Sequence, residues 1–172
     1  MKTARVTVVP YDAGWKDAFD HIKEEIEEAL GTLALGIEHV GSTSVEGMYA
    51  KPCIDLDVIV GEDAMDAVIR ALAEIGYIHE GNLGIEGREA FCYEGKTHLM
   101  KHHLYVCPKG SRELCRHVAF RDYLRGNPLA VEKYSAVKRE AARRFPEDID
   151  GYIAYKSLCI EEMYEEIGNT FF

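Results

Sequence analysis

The sequence predicts an α+β protein: a mixed β-sheet with flanking helices over about residues 1–108, then a helical extension over 109–172, within one domain. Three observations predict it. Residues 53–60 alternate apolar and acidic side chains, as a strand with one buried face does. Trp15, Phe19, Ile22, Ile26 and Leu30 recur at spacings of four and three, which puts them on one helical face. After Pro108 the chain reads as helix-length segments punctuated by serine, glycine and proline.

In order along the chain, a short strand is expected at Val6, Val8 and Val9, ended by Pro10. The helix that carries Trp15 stops at Gly31, a natural C-cap, and its outer face of Glu24, Glu25, Glu27 and Glu28 reads as solvated. A strand near Ile37–Val40 leads into a Gly/Ser/Thr loop over 41–47, and the strong strand Cys53–Val60 follows. Asp63 is placed to cap a helix bearing Met65, Val68, Ile69, Leu72 and Ile75, closed by Gly76. Further strands are expected at Tyr77–His79, Ala90–Tyr93 and Leu99–Val106. Ser111 opens a helix that ends near Gly126, with Leu114, Val118 and Leu124 facing inward. Pro128 begins the next helix, which Pro146 ends, and a last helix carries Tyr152, Tyr155, Leu158, Met163 and Ile167.

Composition bounds the function. The first residues, Met1 to Val6, contain no apolar signal core, and no apolar run reaches membrane-spanning length, so a cytoplasmic protein without a membrane partner is expected. Five cysteines at irregular spacing, with no C-x-x-C pair, suggest neither a zinc ribbon nor a disulfide scaffold. The net charge of −10 disfavours loose association with nucleic acid. Yet residues 109–145 hold ten Lys or Arg against four Asp or Glu. Such a segment suits a small phosphate-bearing ligand, or simply solvated helix faces.

The chemistry concentrates in Glu38-His39-Val40-Gly41-Ser42-Thr43-Ser44 and Lys51-Pro52-Cys53-Ile54-Asp55-Leu56-Asp57-Val58. Aspartates at i and i+2 of a strand share a face about 7 Å apart at Cα. Two like charges in an apolar strand repel and resist desolvation. A divalent cation removes that penalty, and hard carboxylate oxygens suit Mg²⁺, with Mn²⁺ as a substitute. Gly41 lets the backbone bend and offer N–H groups, while Ser42 and Thr43 add hydroxyl donors of the kind that cradle phosphates. Asp55 and Asp57 are thus the candidate catalytic and metal-binding residues. They would act by positioning a nucleoside triphosphate for in-line attack on its α-phosphorus by an unidentified small-molecule or protein acceptor.

Other candidates carry two readings each. His39 could bond the loop or a phosphate, and Lys51 could reach a phosphate or stand on the surface before Pro52. Arg121 and Arg125, one turn apart, could clamp a phosphate, or Arg121 could pair with Asp122. Arg88 could reach substrate from a loop. His98 and His102 are about 13 Å apart if the segment is a strand, too far for one ion. His103 and Tyr105 share a face, and one of them could look into the cleft. Tyr134, Tyr152 and Tyr155 read as helix-packing aromatics.

The order of Gly-Ser, about a dozen residues and Asp-x-Asp on a strand resembles the nucleotidyltransferase signature. Val9-Pro10-Tyr11-Asp12, Ile37 to Val45, Lys51-Pro52-x-Ile54-Asp55, Phe120 to Arg125 and Tyr134-x-x-x-Lys138 further resemble the GrpB (UPF0157) family, across about residues 6–167. The resemblance implies a nucleotidyltransferase-like fold, with Lys138 and Lys156 at family positions lining the same cleft. Related domains fused to dephospho-CoA kinase imply a nucleotide or coenzyme A connection. One departure stands out: nucleotidyltransferases place a third carboxylate on a later strand, and His102-His103-Leu104-Tyr105-Val106 has none. Either His103 substitutes as a ligand, which suits Mn²⁺ or Zn²⁺ better than Mg²⁺, or one metal site is incomplete. A non-catalytic nucleotide- or coenzyme A-binding module is therefore the alternative, and an interaction protein using its acidic face is a second one.

Overall fold

Trp15, Ile22, Ile26 and Leu30 bury one face of α1 (Gly14–Leu30) in the computed structural model, which describes residues 5–171. The helix ends at Gly31, whose φ of 54° is a left-handed conformation that glycine adopts without strain. Five strands follow: β1 (Gly36–Val40), β2 (Ile54–Val60), β3 (Tyr77–Gly81), β4 (Glu89–Tyr93) and β5 (His102–Pro108). α2 (Met65–Glu74) lies between β2 and β3. The remainder forms α3 (Arg112–Arg125), α4 (Pro128–Arg144) and α5 (Ile149–Phe171).

The strands form one mixed sheet in the order β1-β2-β5-β4-β3. β2 and β5 pair in parallel, and the other three pairings are antiparallel. Ile54, Leu56, Val58 and Val60 of β2 pack with Leu104 and Val106 of β5 against α1 and against Val68 and Leu72 of α2. Alternation along β2 therefore sends Asp55 and Asp57 to the opposite face, where the last three helices stand. A second cluster joins Val45 and Met48, beyond the β1 end, to Leu124, Tyr134 and Met163 of those helices. The loop after β1 is thus pinned between sheet and helical extension.

Local signals place most boundaries. Ser111 accepts a hydrogen bond from the Leu114 amide and caps α3, and Pro128 sits in the first turn of α4. Five expectations are corrected. Residues 6–9 form no strand: Val9 alone pairs, by an isolated bridge to Ala50, and Val6 packs with Ala141 and Tyr152. Asp63 does not cap α2, whose N-cap is Ala64 without a side-chain bond. β5 starts at His102, because a turn closed from the Leu99 amide to the Lys96 carbonyl delays the strand. Val118 is only half-buried, and Arg121 takes the inward place between Leu114 and Leu124. Leu158 is 71% exposed and Cys159 takes its inward place, while Tyr152, Met163 and Ile167 are buried as expected. The leader-free reading of Met1 to Ala4 lies outside the described residues. Among those described, no helix is long and apolar enough to cross a membrane.

Candidate functional site

β1 ends at Val40, and the chain turns at Gly41 with φ of 72° into a short 3₁₀ turn, Ser42–Ser44. Glycine is required here twice over. The φ is left-handed, and a β-carbon would fall within 3.0 Å of the Asp55 carboxyl carbon and closer still to Oδ2. Ser44 Oγ donates back to the Gly41 carbonyl and closes the turn. His39 Nε2 meets Thr43 Oγ1 at 2.9 Å, and its ring stacks on Phe19 at 4.6 Å. Burial lowers the His39 pKa to about 4, with Arg125 and Arg121 adding to the effect, so the ring is neutral.

Two arginines brace the loop from its outer side. Arg125 donates from Nε and Nη2 to the Ser44 carbonyl at 3.0 and 2.8 Å. Arg121 Nη1 donates to Glu38 Oε2 at 2.6 Å and to the His39 carbonyl at 3.1 Å, while its Nε reaches Asp122 at 3.0 Å. These donors serve the protein itself, and Arg121 makes the pairing with Asp122 that was the alternative expected of it.

Register fixes the acidic face. Asp55 stands opposite Val40 and His103, and Asp57 opposite Glu38 and Tyr105. Asp55 Oδ1 accepts from His103 Nδ1 at 2.9 Å. That hydrogen bond carries the His103 pKa up to about 10, so its ring is protonated and offers no lone pair to a metal while the pairing lasts. Asp57 is 0% exposed, and its Oδ2 accepts from His117 Nδ1 at 2.6 Å. His117 Nε2 in turn meets Glu113 at 3.1 Å. Burial alone would lower the His117 pKa, but the Asp57 hydrogen bond and charge raise it above the ordinary histidine range. Burial likewise raises the Asp57 carboxyl against the opposing pull of His117. Asp57 Oδ1 is buried with no hydrogen-bond partner. Among the described residues no three His, Cys, Asp or Glu side chains converge on a point that could hold an ion. The donor set fits a hard cation through two carboxylates only: the orphaned Asp57 Oδ1 and the oxygen of Asp55 turned toward Gly41.

Beside Asp55 opens a cleft of about 190 Å³ lined by Ser42, Thr43, Lys51, Lys138, Tyr152 and Lys156, with Cys53, His103 and Asp55 on its sheet side. Lys138, only 2% exposed, donates from Nζ to Ser42 Oγ at 2.5 Å. Lys51 and Lys156 stand over the Tyr152 ring at 5.4 and 4.8 Å. Burial pushes the Lys138 pKa well down, reinforced by Lys156 and Lys51, and lowers that of Lys156 to about 8. Among the described residues none of the three lysines has a carboxylate within ion-pair distance.

Of the residues singled out in the sequence, Ser42, Thr43, Lys51, Asp55, His103, Lys138 and Lys156 meet in this cleft. Gly41 borders a neighbouring cavity that Asp55 also lines, and the buried Asp57 borders neither. His39, Arg121 and Arg125 hold the loop instead. The Glu113–His117 pair was not foreseen. Its spacing of four on a helix is a signal of a shared face, but only the fold brings it to Asp57.

A glycine-serine bend beside two aspartates of the adjoining strand, carried on this mixed sheet, defines a protein of the nucleotidyltransferase fold. Comparison agrees: the Cid1 poly(U) polymerase with MgGTP bound superposes with a TM-score of 0.54, covering 80% of this chain and 45% of that one. At 9% identity this likeness concerns the fold alone. The chain belongs to the GrpB family, whose model, described as GrpB protein, matches residues 5–166. The crystal structure of conserved protein GrpB from Enterococcus faecalis has a TM-score of 0.79 and 32% identity, over 93% of this chain and 98% of that one. The glutamate-rich protein GrpB of Alkalihalophilus pseudofirmus is 32% identical over 97% of this chain and 98% of its own length. The UPF0157 protein YqkA of Bacillus subtilis is 33% identical over 94% of this chain, which spans 47% of that protein. A dephospho-CoA kinase of Mycolicibacterium paratuberculosis is 28% identical over 94% of this chain and 46% of its own.

Proposed function

We propose that this protein binds a nucleoside triphosphate with a divalent cation and transfers the nucleotidyl group to a hydroxyl acceptor. One observation carries the reading: three lysines without carboxylate partners face the Ser42–Thr43 turn and Asp55 across a single small cleft. Amines held near one another with no carboxylate partner become fully charged when an anion enters, and phosphate oxygens meet ammonium groups as charge-assisted acceptors. Asp55 and Asp57 would hold Mg²⁺, or Mn²⁺ in its place, by one or two carboxylate contacts, with water and phosphate oxygens completing the shell. Such an ion, when bound, neutralises charge on the reacting phosphates. The lysines would hold the phosphate tail, and the Ser42 hydroxyl and the amides of the turn would orient it. In the transfer, the acceptor oxygen bonds to the α-phosphorus as the bridging oxygen leaves with pyrophosphate, and the hydroxyl proton passes to water at the open side of Asp55. Five free cysteines support a cytoplasmic location.

A second reading rests on Tyr105, which stands opposite Asp57 on the strand where a third carboxylate is expected. A module that binds a nucleotide or a coenzyme A-related molecule without turnover fits that substitution, and the dephospho-CoA kinase relative supports the ligand class. Calorimetric titration with the four magnesium triphosphates and with coenzyme A tests binding, using Asp55→Asn/Asp57→Asn as control. Pyrophosphate release across hydroxyl acceptors then separates the two readings. Heats that do not change in the double variant remove the site from both.

A further inference from the structure

We infer that a second cleft, across Asp55 from the lysines, receives the acceptor, and that this acceptor is a small molecule carrying an anionic group, carboxylate or phosphate, on a flat framework. The inference rests on the nucleotidyl transfer proposed above and names its other substrate. Asp55 lines both clefts: the lysine cleft on one side, and on the other a cavity of about 220 Å³ bordered by Arg88, Tyr105, His117, Phe120 and Tyr164. Displacement at phosphorus brings the attacking oxygen in opposite the leaving oxygen. With the phosphate tail among the lysines, the attacking hydroxyl therefore approaches from the far side of Asp55.

Arg88 defines the charge of what binds there. Its guanidinium lies over the Tyr105 ring at 4.2 Å, just ahead of β4, whose Ala90 pairs with Tyr105. Among the described residues it has no carboxylate within ion-pair distance, and its Nε is buried without a hydrogen-bond partner. A buried cationic donor left unpaired is costly, and a planar guanidinium matches a carboxylate or phosphate in geometry as well as charge. The two nitrogens of His117 are already taken by Asp57 and Glu113, so His117 forms wall rather than anchor. The opposite wall is flat: Phe120 and Tyr164 stack at 5.0 Å with their planes 28° apart. Size completes the description. The cavity is smaller than the roughly 300–1,000 Å³ typical of drug-sized ligands, which favours a small molecule over a protein loop.

The test follows aromatic and histidine side-chain resonances by NMR during titration with 4-hydroxybenzoate, its neutral analogue 4-hydroxybenzamide, and magnesium α,β-methylene-ATP. The benzoate is expected to shift Tyr105, His117 and Tyr164, with or without saturating nucleotide, and the amide is not. Arg88→Gln should weaken the benzoate response about tenfold, the scale of one lost charge-assisted contact. Equal shifts from the amide, an undiminished response in Arg88→Gln, no response to benzoate, or displacement of benzoate by nucleotide each overturns the acceptor site while nucleotide binding stands. Failure of the nucleotide to bind in the same samples overturns both this inference and the reading beneath it.

Discussion

Gly41 and Asp55 are in such close approach that no other residue fits at position 41: a β-carbon there would meet the Asp55 carboxylate, on a backbone already at φ of 72°. The turn at Gly41 and strand β2 are thereby held at contact distance. Gly41→Ala is expected to cost about 2–4 kcal/mol of stability, from steric overlap plus left-handed strain, and to abolish nucleotide binding. Gly47 has a similar φ of 83° but open space around it, so Gly47→Ala should cost only about 1 kcal/mol. Denaturant midpoints of the two variants check the difference, and equal losses would contradict the close-approach account.

His39 makes the loop acid-sensitive. Its pKa is lowered to about 4 in the folded state, below its ordinary value near 6.5. Between those values the unfolded chain binds more protons, so stability is full above pH 6.5 and declines as the pH falls toward 4. The decline should reach at most about 3 kcal/mol. His39→Gln, which keeps a donor for Thr43 but does not titrate, should flatten that part of the stability–pH curve in urea titrations. A curve unchanged by the substitution would place the acid sensitivity elsewhere.

Lys138 and Lys156 are expected to take up protons when an anion enters. Both have pKa values lowered by burial, Lys156 to about 8, and phosphate favours the charged form. Calorimetry at pH 8 in buffers of different ionisation enthalpy should show net proton uptake on triphosphate binding. Lys138→Met should reduce the uptake. Binding without proton exchange would contradict burial of the lysines at the ligand.

Asp57→Asn is expected to lower the pKa of His117 to the ordinary histidine range or below it. Burial alone depresses that imidazole, and the Asp57 hydrogen bond and charge are what raise it. A histidine NMR titration reads this directly. An unchanged His117 titration would assign its raised pKa to Glu113 instead.

How much of this could be read in the sequence follows from the range of each interaction. α1, β2, α3 and α4 were legible because their signals are local: apolar spacing, acidic alternation, Ser111 and Pro128. The Gly41–Ser42 bend and the Asp pair were legible for the same reason. The parallel pairing of β2 with β5 was not, since nothing local encodes which strands adjoin. Nor was the destination of His117, 60 residues from Asp57, or that of Arg121, 83 residues from Glu38. Lys138 and Lys156 entered through family resemblance, since neither carries a local mark of a binding role. Arg121 and Arg125 carried two readings because two arginines one turn apart look alike whether they grip a phosphate or a backbone carbonyl.

The most direct measurement is an anomalous-scattering map of crystals soaked with Mn²⁺ and a non-hydrolysable triphosphate. The account predicts a manganese peak within about 2.5 Å of Asp55 and Asp57 oxygens, and phosphates between Ser42 and the lysines at 51, 138 and 156. A triphosphate bound elsewhere, or a metal peak that touches neither aspartate, would contradict it.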